Sequence, residues 1–361
     1  MSLSSYVSLG RSGLRVSPFA LGTMTFGQEW GWGADEATSR AVLTRYLDLG
    51  GNFIDTANGY TFGHAEQIIG DHVGHDRALR DRLVIATKFG MNLYPGDPNG
   101  GGAGAKSIVR ACEQSLRRLR TDYIDLYWMH VPDPATPVEE TLRALEHLVA
   151  SGKVRYIGFS DTPAWKVAQA QTLATLRGWT PLIGVQLEYS LLERTVEAEL
   201  TPMARELGLG VVAWSPLANG MLSGKYTRAN AGQVDGARAT QFGIPFGERE
   251  FALIDALGEI AARHETGVAA VALAWVRSRD GVSATLLGAR TVAHLDANVR
   301  ALELTLSTEE IARLDELSAP PPHFIGKLEA YSDLLIHHAT TVNGKTRPSW
   351  WGAPDSDAAR Y

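Results

Sequence analysis

Four side chains of complementary chemistry stand at or just beyond the ends of short apolar runs. Asn52-Phe53-Ile54-Asp55-Thr56-Ala57-Asn58-Gly59-Tyr60 stops on a carboxylate and presents a phenol five residues later. Leu83-Val84-Ile85-Ala86-Thr87-Lys88 finishes on an amine, and Tyr123-Ile124-Asp125-Leu126-Tyr127-Trp128-Met129-His130 on an imidazole. Phe53 and Ile54 read as a buried strand and Asn58-Gly59 as a turn, so Asp55 is expected at a strand's carboxyl end and Tyr60 in the loop after it. In a sheet of parallel strands that is the end where chemistry collects. A phenol of pKa about 10 is a poor acid near neutrality, but a lysine cation beside it favours the tyrosinate and lowers that value. Asp55 can in turn hold and orient Lys88. Such a tyrosine can protonate a developing alkoxide while a neutral His130 donates to the same oxygen, so the group suits reduction of a carbonyl. Singly, each residue has a plain alternative: a turn cap, loop packing, a solvated strand end, a polar residue at the core's edge. Their arrival on one rim favours a joint role.

The elements that must position them alternate regularly. Tyr6 to Leu9, a Gly10–Gly13 turn, and Leu14-Arg15-Val16 read as a small hairpin that plugs or caps something. Strands are then expected at Phe19-Ala20-Leu21, Asn52–Asp55, Leu83–Lys88, Tyr123–His130, Val154–Ser160, Gly184–Leu187, Leu209–Trp214 and Ala284–Gly288, with helical patterns between each pair. Eight short, continuously apolar strands separated by helices predict a closed parallel (β/α)8 TIM barrel over about residues 17–317. The surplus length falls in the hairpin, in a loop from Met91 to Ala105, in a long Gly- and Ala-rich loop after the seventh strand from Ser215 to about Glu248, and in a tail from about Pro320 with no strong period. Ser307-Thr308-Glu309-Glu310 reads as the cap of the last barrel helix. Phe324, Tyr331, Trp350 and Trp351 are hard to leave solvated, so the tail is expected to fold back and help shape the substrate pocket. No second domain is read: the 361 residues form one barrel domain with its tail.

Composition narrows the function classes. A net charge of -6 and pI near 5.9 argue against a general affinity for nucleic acid or acidic membranes. Cys112 is the only cysteine, which excludes an intrachain disulfide and an all-cysteine zinc site; its spacing with Ile108, Leu116 and Leu119 places it in a helix core, and no metal site is expected. With no apolar run of about 18 residues and no signal-like start, the expectation is a cytoplasmic protein. Gly100 to Ser107 nearly spells a phosphate-binding loop, but its second glycine is Ala105, and eleven residues separate Lys88 from Gly100 where a true one follows its strand directly. Trp30 and Trp32, after the first strand, either line an apolar substrate pocket or pack on the surface.

The chain resembles the aldo-keto reductase superfamily, its long-chain bacterial members in particular. The resemblance runs through Leu21-Gly22-Thr23-Met24-Thr25-Phe26-Gly27, the Asp55–Tyr60 stretch, Ala86-Thr87-Lys88-Phe89-Gly90 and Asp122–His130. It continues in Ile157-Gly158-Phe159-Ser160, Gln186-Leu187-Glu188-Tyr189-Ser190, Trp214-Ser215-Pro216-Leu217 and Gly288-Ala289-Arg290-Thr291. It implies a catalytic tetrad of Asp55, Tyr60, Lys88 and His130 and an NADPH laid across the barrel mouth. On that resemblance the cofactor meets Gly22, Thr23, Met24 and Asp55. Ser160, Asp161 and Gln186 grip the nicotinamide carboxamide, and Trp214 stacks under the ring. Ser215, Pro216, Leu217, Gly220, Leu222 and Lys225 pass over the pyrophosphate, and Gly288, Arg290, His294 and Asn298 surround the adenosine end. Where many relatives have Asn, this chain has Asp161, which can accept from an amide but not donate to it. His294 and Ala297 depart from the Gln and Glu common near the adenine. The implied activity is NADPH-dependent reduction of a small-molecule aldehyde or ketone, reversible as alcohol oxidation. The alternative is a cofactor-sensing regulatory subunit resembling the β subunits of potassium channels. The substrate's identity and the oligomeric state, a homo-oligomer among the options, stay open.

Overall fold

A computed structural model describes residues 1–228, 230, 247–352, 354, 356 and 358. It contains two compact units, Met1–Ser318 and Ala319–Tyr361. In the first, β1 (Val7–Ser8) pairs antiparallel with β2 (Arg15–Val16). Eight parallel strands follow: β3 (Phe19–Gly22), β4 (Phe53–Asp55), β5 (Val84–Phe89), β6 (Ile124–Met129), β7 (Val154–Ser160), β8 (Leu182–Glu188), β9 (Gly210–Trp214) and β10 (Val282–Gly288). Each pairs with its successor, and β10 returns to β3 through Thr285–Phe19 to Gly288–Gly22, closing the barrel. All eight expected strands are present, in the expected order.

Two apolar layers hold the ring. Alternate side chains face outward beneath the helices, as Ile85 and Phe89 do on β5 and Tyr127 and Met129 on β6. The other set, including Ala20, Phe53, Val84, Ala86, Leu126, Trp128, Val212, Ala284 and Leu286, fills the interior together with Leu9, Leu14 and Val16 of the hairpin. The hairpin plugs the amino-terminal end, with the Arg11 amide donating to Gly208 O at 2.8 Å just before β9. Trp128 is the largest interior side chain, and it fits because Gly158 has no Cβ: one built there would stand 2.2 Å from the Trp128 ring.

Helix Glu36–Asp48 shows how a helix fixes a strand. Asp35 caps it through Thr38 N at 2.7 Å, and Tyr46 in its last turn reaches the carbonyls of Phe19 (2.8 Å) and Phe53 (3.0 Å). One phenol thereby ties β3 to β4, the strand that carries Asp55. The Ser307–Glu310 capping box also forms, with Glu310 N to Ser307 Oγ at 3.2 Å and Ser307 N to Glu310 Oε2 at 3.0 Å.

The Ala319–Tyr361 unit is more regular than its sequence suggests. Phe324–His337 is a helix whose Phe324, Leu328, Tyr331 and Leu335 recur at four- and three-residue steps. Thr341–Val342 and Lys345–Thr346 then form a hairpin across Asn343-Gly344, both at positive φ (52° and 77°), the geometry an Asn-Gly turn favours. Trp351 Nε1 donates to Tyr331 Oη at 3.0 Å within this unit. About half of the long loop after β9, residue 229 and residues 231–246, lies outside the described residues.

Candidate active site

The two-residue alternation that points Val84 and Ala86 inward continues to the mouth. The next inward position is Gly22 on β3, Asp55 on β4, Lys88 on β5, His130 just past β6, Ser160 on β7, Gln186 on β8, Trp214 on β9 and Gly288 on β10. One ring of strand ends therefore collects eight of the residues singled out by sequence.

At its centre Lys88 is fully buried. Its ammonium makes a short contact with Asp55 Oδ1 and donates to Thr56 O at 2.8 Å and Tyr60 Oη at 3.1 Å. Three acceptors use its three N–H bonds. Asp55 spends its second oxygen on Gln186, whose Nε2 donates to Oδ2 at 2.9 Å. A carboxylate only accepts, so this fixes the orientation of the Gln186 amide and leaves Oε1 free to accept from a ligand. Burial works against the Lys88 charge, but Asp55 and Tyr60 outweigh it and hold the ammonium above the usual lysine pKa. For Tyr60, burial dominates and raises the phenol above its usual value, although Lys88 pulls it down. The expected lowering by lysine is thus present as one contribution, and desolvation exceeds it. Tyr60 is a protonated donor near neutrality.

The His130 ring lies edge-on to Tyr60 with centroids 5.7 Å apart. Burial, then the Lys88 charge, depresses its pKa to about 3, so the imidazole is neutral, and its buried Nδ1 has no hydrogen-bond partner. Tyr60 itself starts a tight turn through Thr61 and Phe62, both left-handed (φ 45° and 58°). Among the described residues, six of the ten non-glycine positions with positive φ (Thr61, Phe62, Asp161, Ser215, Ala218, Asn219) lie in loops leaving the carboxyl ends of the barrel strands, and strain of this kind clusters at functional sites.

On the opposite side of the mouth Asp161 does not stand free. Its carboxylate accepts from Trp214 Nε1 at 2.9 and 3.1 Å and from Ser160 Oγ at 3.1 Å. Burial raises its pKa while these donors oppose the shift. The indole is pinned in orientation, so it can serve as a flat shelf. Glu188 lines a neighbouring cleft of about 330 Å³ with Asp161 and Glu193, and burial, then those two carboxylates, push its pKa up to about 7.

The segment expected over a pyrophosphate is tightly turned, with Ser215, Ala218, Asn219 and Gly220 at φ 50°, 47°, 55° and 92°. Its amides are largely spent internally: Ala218 N on Ser215 O, Asn219 N on Ser215 Oγ, and Gly220 N and Leu222 N on Leu217 O. The Leu222 side chain is buried in the core, and Pro216 has no N–H to offer. The Lys225 ammonium folds over this segment, 3.4 Å from where a Gly220 Cβ would stand. Arg290 is exposed just before helix Val292–Val299, and among the described residues no hydrogen bond or ion pair engages its guanidinium. Thr291 caps that helix, taking the His294 amide at 3.2 Å; Asn298 sits in its last turn, buried, with Nδ2 3.5 Å from Gly288 O. Thr23 is also committed, its Oγ1 donating to Asp55 O at 3.0 Å, and Met24 packs beside the core. Two cations, a pinned aromatic shelf and an open amide oxygen on one rim fit a dinucleotide that carries phosphates at one end and a carboxamide ring at the other.

Sequence reasoning missed the Gln186–Asp55 bond, the Thr56 carbonyl and the Asp161–Trp214 lock. Strand parity, carried to the last inward residue of every strand, would have placed Gln186 and Asp55 on one ring, though it gives no sign of Thr56 or Asp161.

Among the described residues no helix is long and apolar enough to cross a membrane, and no group of three or more His, Cys, Asp or Glu could hold a metal ion. Residues 18–319 match the Aldo/keto reductase family. The chain is 40% identical over 325 residues to the oxidoreductase YrpG of Bacillus subtilis, covering 88% of this chain and 96% of that protein. It is 37% identical over 313 residues to norsolorinic acid reductase A of Aspergillus parasiticus (84% and 78% covered), and 36% identical over 310 to an aryl-alcohol dehydrogenase of Pestalotiopsis microspora (84% and 79%). Sequence matches of that reach, over a barrel whose eight strands end on one chemically equipped rim, settle the matter of kinship: the chain belongs to the aldo/keto reductase family and is an oxidoreductase.

Proposed function

We propose that the protein is an NADPH-dependent reductase of aldehydes or ketones, reversible as an alcohol dehydrogenase, with Tyr60 as the general acid. The observation that carries this reading is the Tyr60 hydroxyl held 3.1 Å from a buried lysine ammonium. The names of the relatives, one a reductase and one an alcohol dehydrogenase, support both directions.

When bound, NADPH would supply the hydride, with Trp214 as the aromatic shelf that would hold its nicotinamide. As negative charge develops on the carbonyl oxygen, the Tyr60 hydroxyl passes its proton to that oxygen, and the Lys88 ammonium stabilises the phenolate left behind. Asp55, Gln186 and the Thr56 carbonyl keep Lys88 charged and aimed. Neutral His130 donates one hydrogen bond to the same oxygen and orients the carbonyl. Gln186 Oε1 and the Asp161 carboxylate would accept from the carboxamide, and the second Gln186 N–H is the donor left for its oxygen, which Ser160 would reach only by turning its hydroxyl away from Asp161. Lys225 and Arg290 would meet the phosphates, Arg290 the 2′-phosphate that distinguishes NADPH from NADH, and Gly22, Thr23, Met24, Gly288, His294 and Asn298 would line the rest of the path. The test is the loss of NADPH absorbance with a panel of aldehydes and ketones. Turnover is expected; tight NADPH binding without turnover of any of them would favour a cofactor-sensing role.

A further inference from the structure

The side of the mouth that holds Trp214 gathers negative charge without a matching cation. Asp161 follows β7 directly, its amide donating to Gln186 O at 3.0 Å, and its carboxylate touches the Trp214 indole nitrogen. Glu188 is the last residue of β8 and pairs in register with Trp214 on β9. Glu193 lines the same cleft as both, but its Oε1 is engaged locally by Thr195 N at 2.8 Å. Every side chain that donates to Asp161 is neutral: Trp214 Nε1 at 2.9 and 3.1 Å and Ser160 Oγ at 3.1 Å. Among the described residues no lysine, arginine or histidine forms an ion pair with Asp161, Glu188 or Glu193, and no such group of acids could hold a metal ion.

Across the mouth, by contrast, the charges cancel. The Lys88 ammonium is in short contact with Asp55, Tyr60 is a protonated phenol and His130 a neutral imidazole. The Lys88 charge does reach Asp161, but it weighs less there than burial and the hydrogen bonds. Burial, then repulsion from Glu193 and Asp161, pushes the Glu188 carboxyl up to about 7, so this acid too lacks a positive partner. The two redox forms of a nicotinamide cofactor share their carboxamide, pyrophosphate and 2′-phosphate. They differ at the ring, which is neutral when reduced and singly positive when oxidised. A carboxylate held at the edge of the shelf that would carry this ring separates the two by Coulomb attraction alone.

We propose that the Asp161 carboxylate, backed by Glu188, reads the charge of the nicotinamide ring and tilts binding toward the oxidised cofactor, and with it the bound equilibrium toward alcohol oxidation. The inference rests on the reading of Trp214 as the nicotinamide shelf. Asn at position 161 keeps an acceptor for Trp214 Nε1 at nearly the same size and removes the charge. Its amide can also donate to the carboxamide oxygen, but both redox forms carry that oxygen, so the change cancels in the ratio of their affinities.

Isothermal titration calorimetry at pH 8, where Glu188 is ionised, gives separate dissociation constants for NADP⁺ and NADPH with no turnover required. Asp161 is exposed at the mouth, so solvent screens the effect. Unit charges about 6 Å apart at an effective dielectric of about 40–80 are worth roughly 3- to 10-fold in a ratio of affinities. Asp161→Asn should therefore shift that ratio toward NADPH by about 3- to 10-fold, and Glu188→Gln should shift it the same way by less. Arg290→Ala, which removes a contact to a phosphate that both forms carry, should weaken both and leave the ratio alone. A role confined to holding the indole or gripping the carboxamide would move both constants together. An unaltered ratio in Asp161→Asn, or in Glu188→Gln should the first variant fail to fold, overturns the proposal. If wild type binds neither form, the cofactor assignment itself fails first.

Discussion

Gln186 and Asp55 sit on strands diametrically opposite in the ring, β8 and β4, yet the amide of one donates to the carboxylate of the other at 2.9 Å. The bond spans the barrel mouth and leaves Asp55 with both oxygens engaged, one by Lys88. Replacing Gln186 with Met removes the donor and strands a buried carboxylate oxygen. The expected cost is about 1–3 kcal/mol in unfolding free energy, read from urea denaturation. No change in midpoint or slope would mean that the oxygen finds another donor.

Tyr60→Phe keeps the ring and discards its only acidic proton. Carbonyl reduction should fall about 10²- to 10⁴-fold while NADPH still binds, as followed by kcat and by cofactor titration. Lys88→Met should be as damaging. Near-full kcat in Tyr60→Phe with well-bound cofactor would place the proton donor elsewhere.

Arg290→Ala should erase most of the preference for NADPH over NADH. A charge-assisted contact to phosphate is worth about 1.5–3 kcal/mol, or roughly 10- to 150-fold in relative affinity. The ratio of the two dissociation constants is the measurement; an unaltered ratio means that another group reads the 2′-phosphate.

His130 titrates near 3 in the folded protein instead of its ordinary 6.5. As pH falls between those values the unfolded chain takes up a proton that the folded one refuses, so stability drops, at up to about 1.4 kcal/mol per pH unit for this one group. His130→Gln lacks that proton uptake. The stability gap between wild type and variant should therefore change in the variant's favour from pH 7 to pH 4, as chemical denaturation at each pH would record.

Glu188 runs the other way. Its folded pKa of about 7 lies above the ordinary 4.5, so its contribution is lost as pH rises through that window. Glu188→Gln should melt higher than wild type at pH 8 and differ least at pH 5. The carboxyl is only half-buried and solvent-screened, so the shift should be modest.

Much of this was legible in sequence because barrel strands are short, apolar and end on their chemistry. Asp55, Lys88, His130, Gln186 and Trp214 could each be placed at a strand end by pattern alone. What pattern could not show was which of them touch: Gln186 and Asp55 are far apart in the chain, and only the closed ring makes them neighbours. Nor could it weigh the Tyr60 environment, where desolvation outruns the lysine, because burial depends on what packs around the turn. The helix at Phe324–His337 went unread although Phe324, Leu328, Tyr331 and Leu335 mark one face of it, and the Asn343-Gly344 hairpin because each flanking strand has only two residues.

The pairing of β10 with β3 joins residues from nearly opposite ends of the 318-residue unit, whereas every other strand pair is joined by one intervening excursion. During synthesis the inner seven strands can align one after another, but two open edges persist until β10 has been made. Those edges are rich in unpaired N–H and C=O groups and are adhesive. Productive folding is therefore a race between completing translation and edge-to-edge aggregation, and slowing synthesis just before Val282 should lower the yield of soluble protein more than slowing it after Ser318.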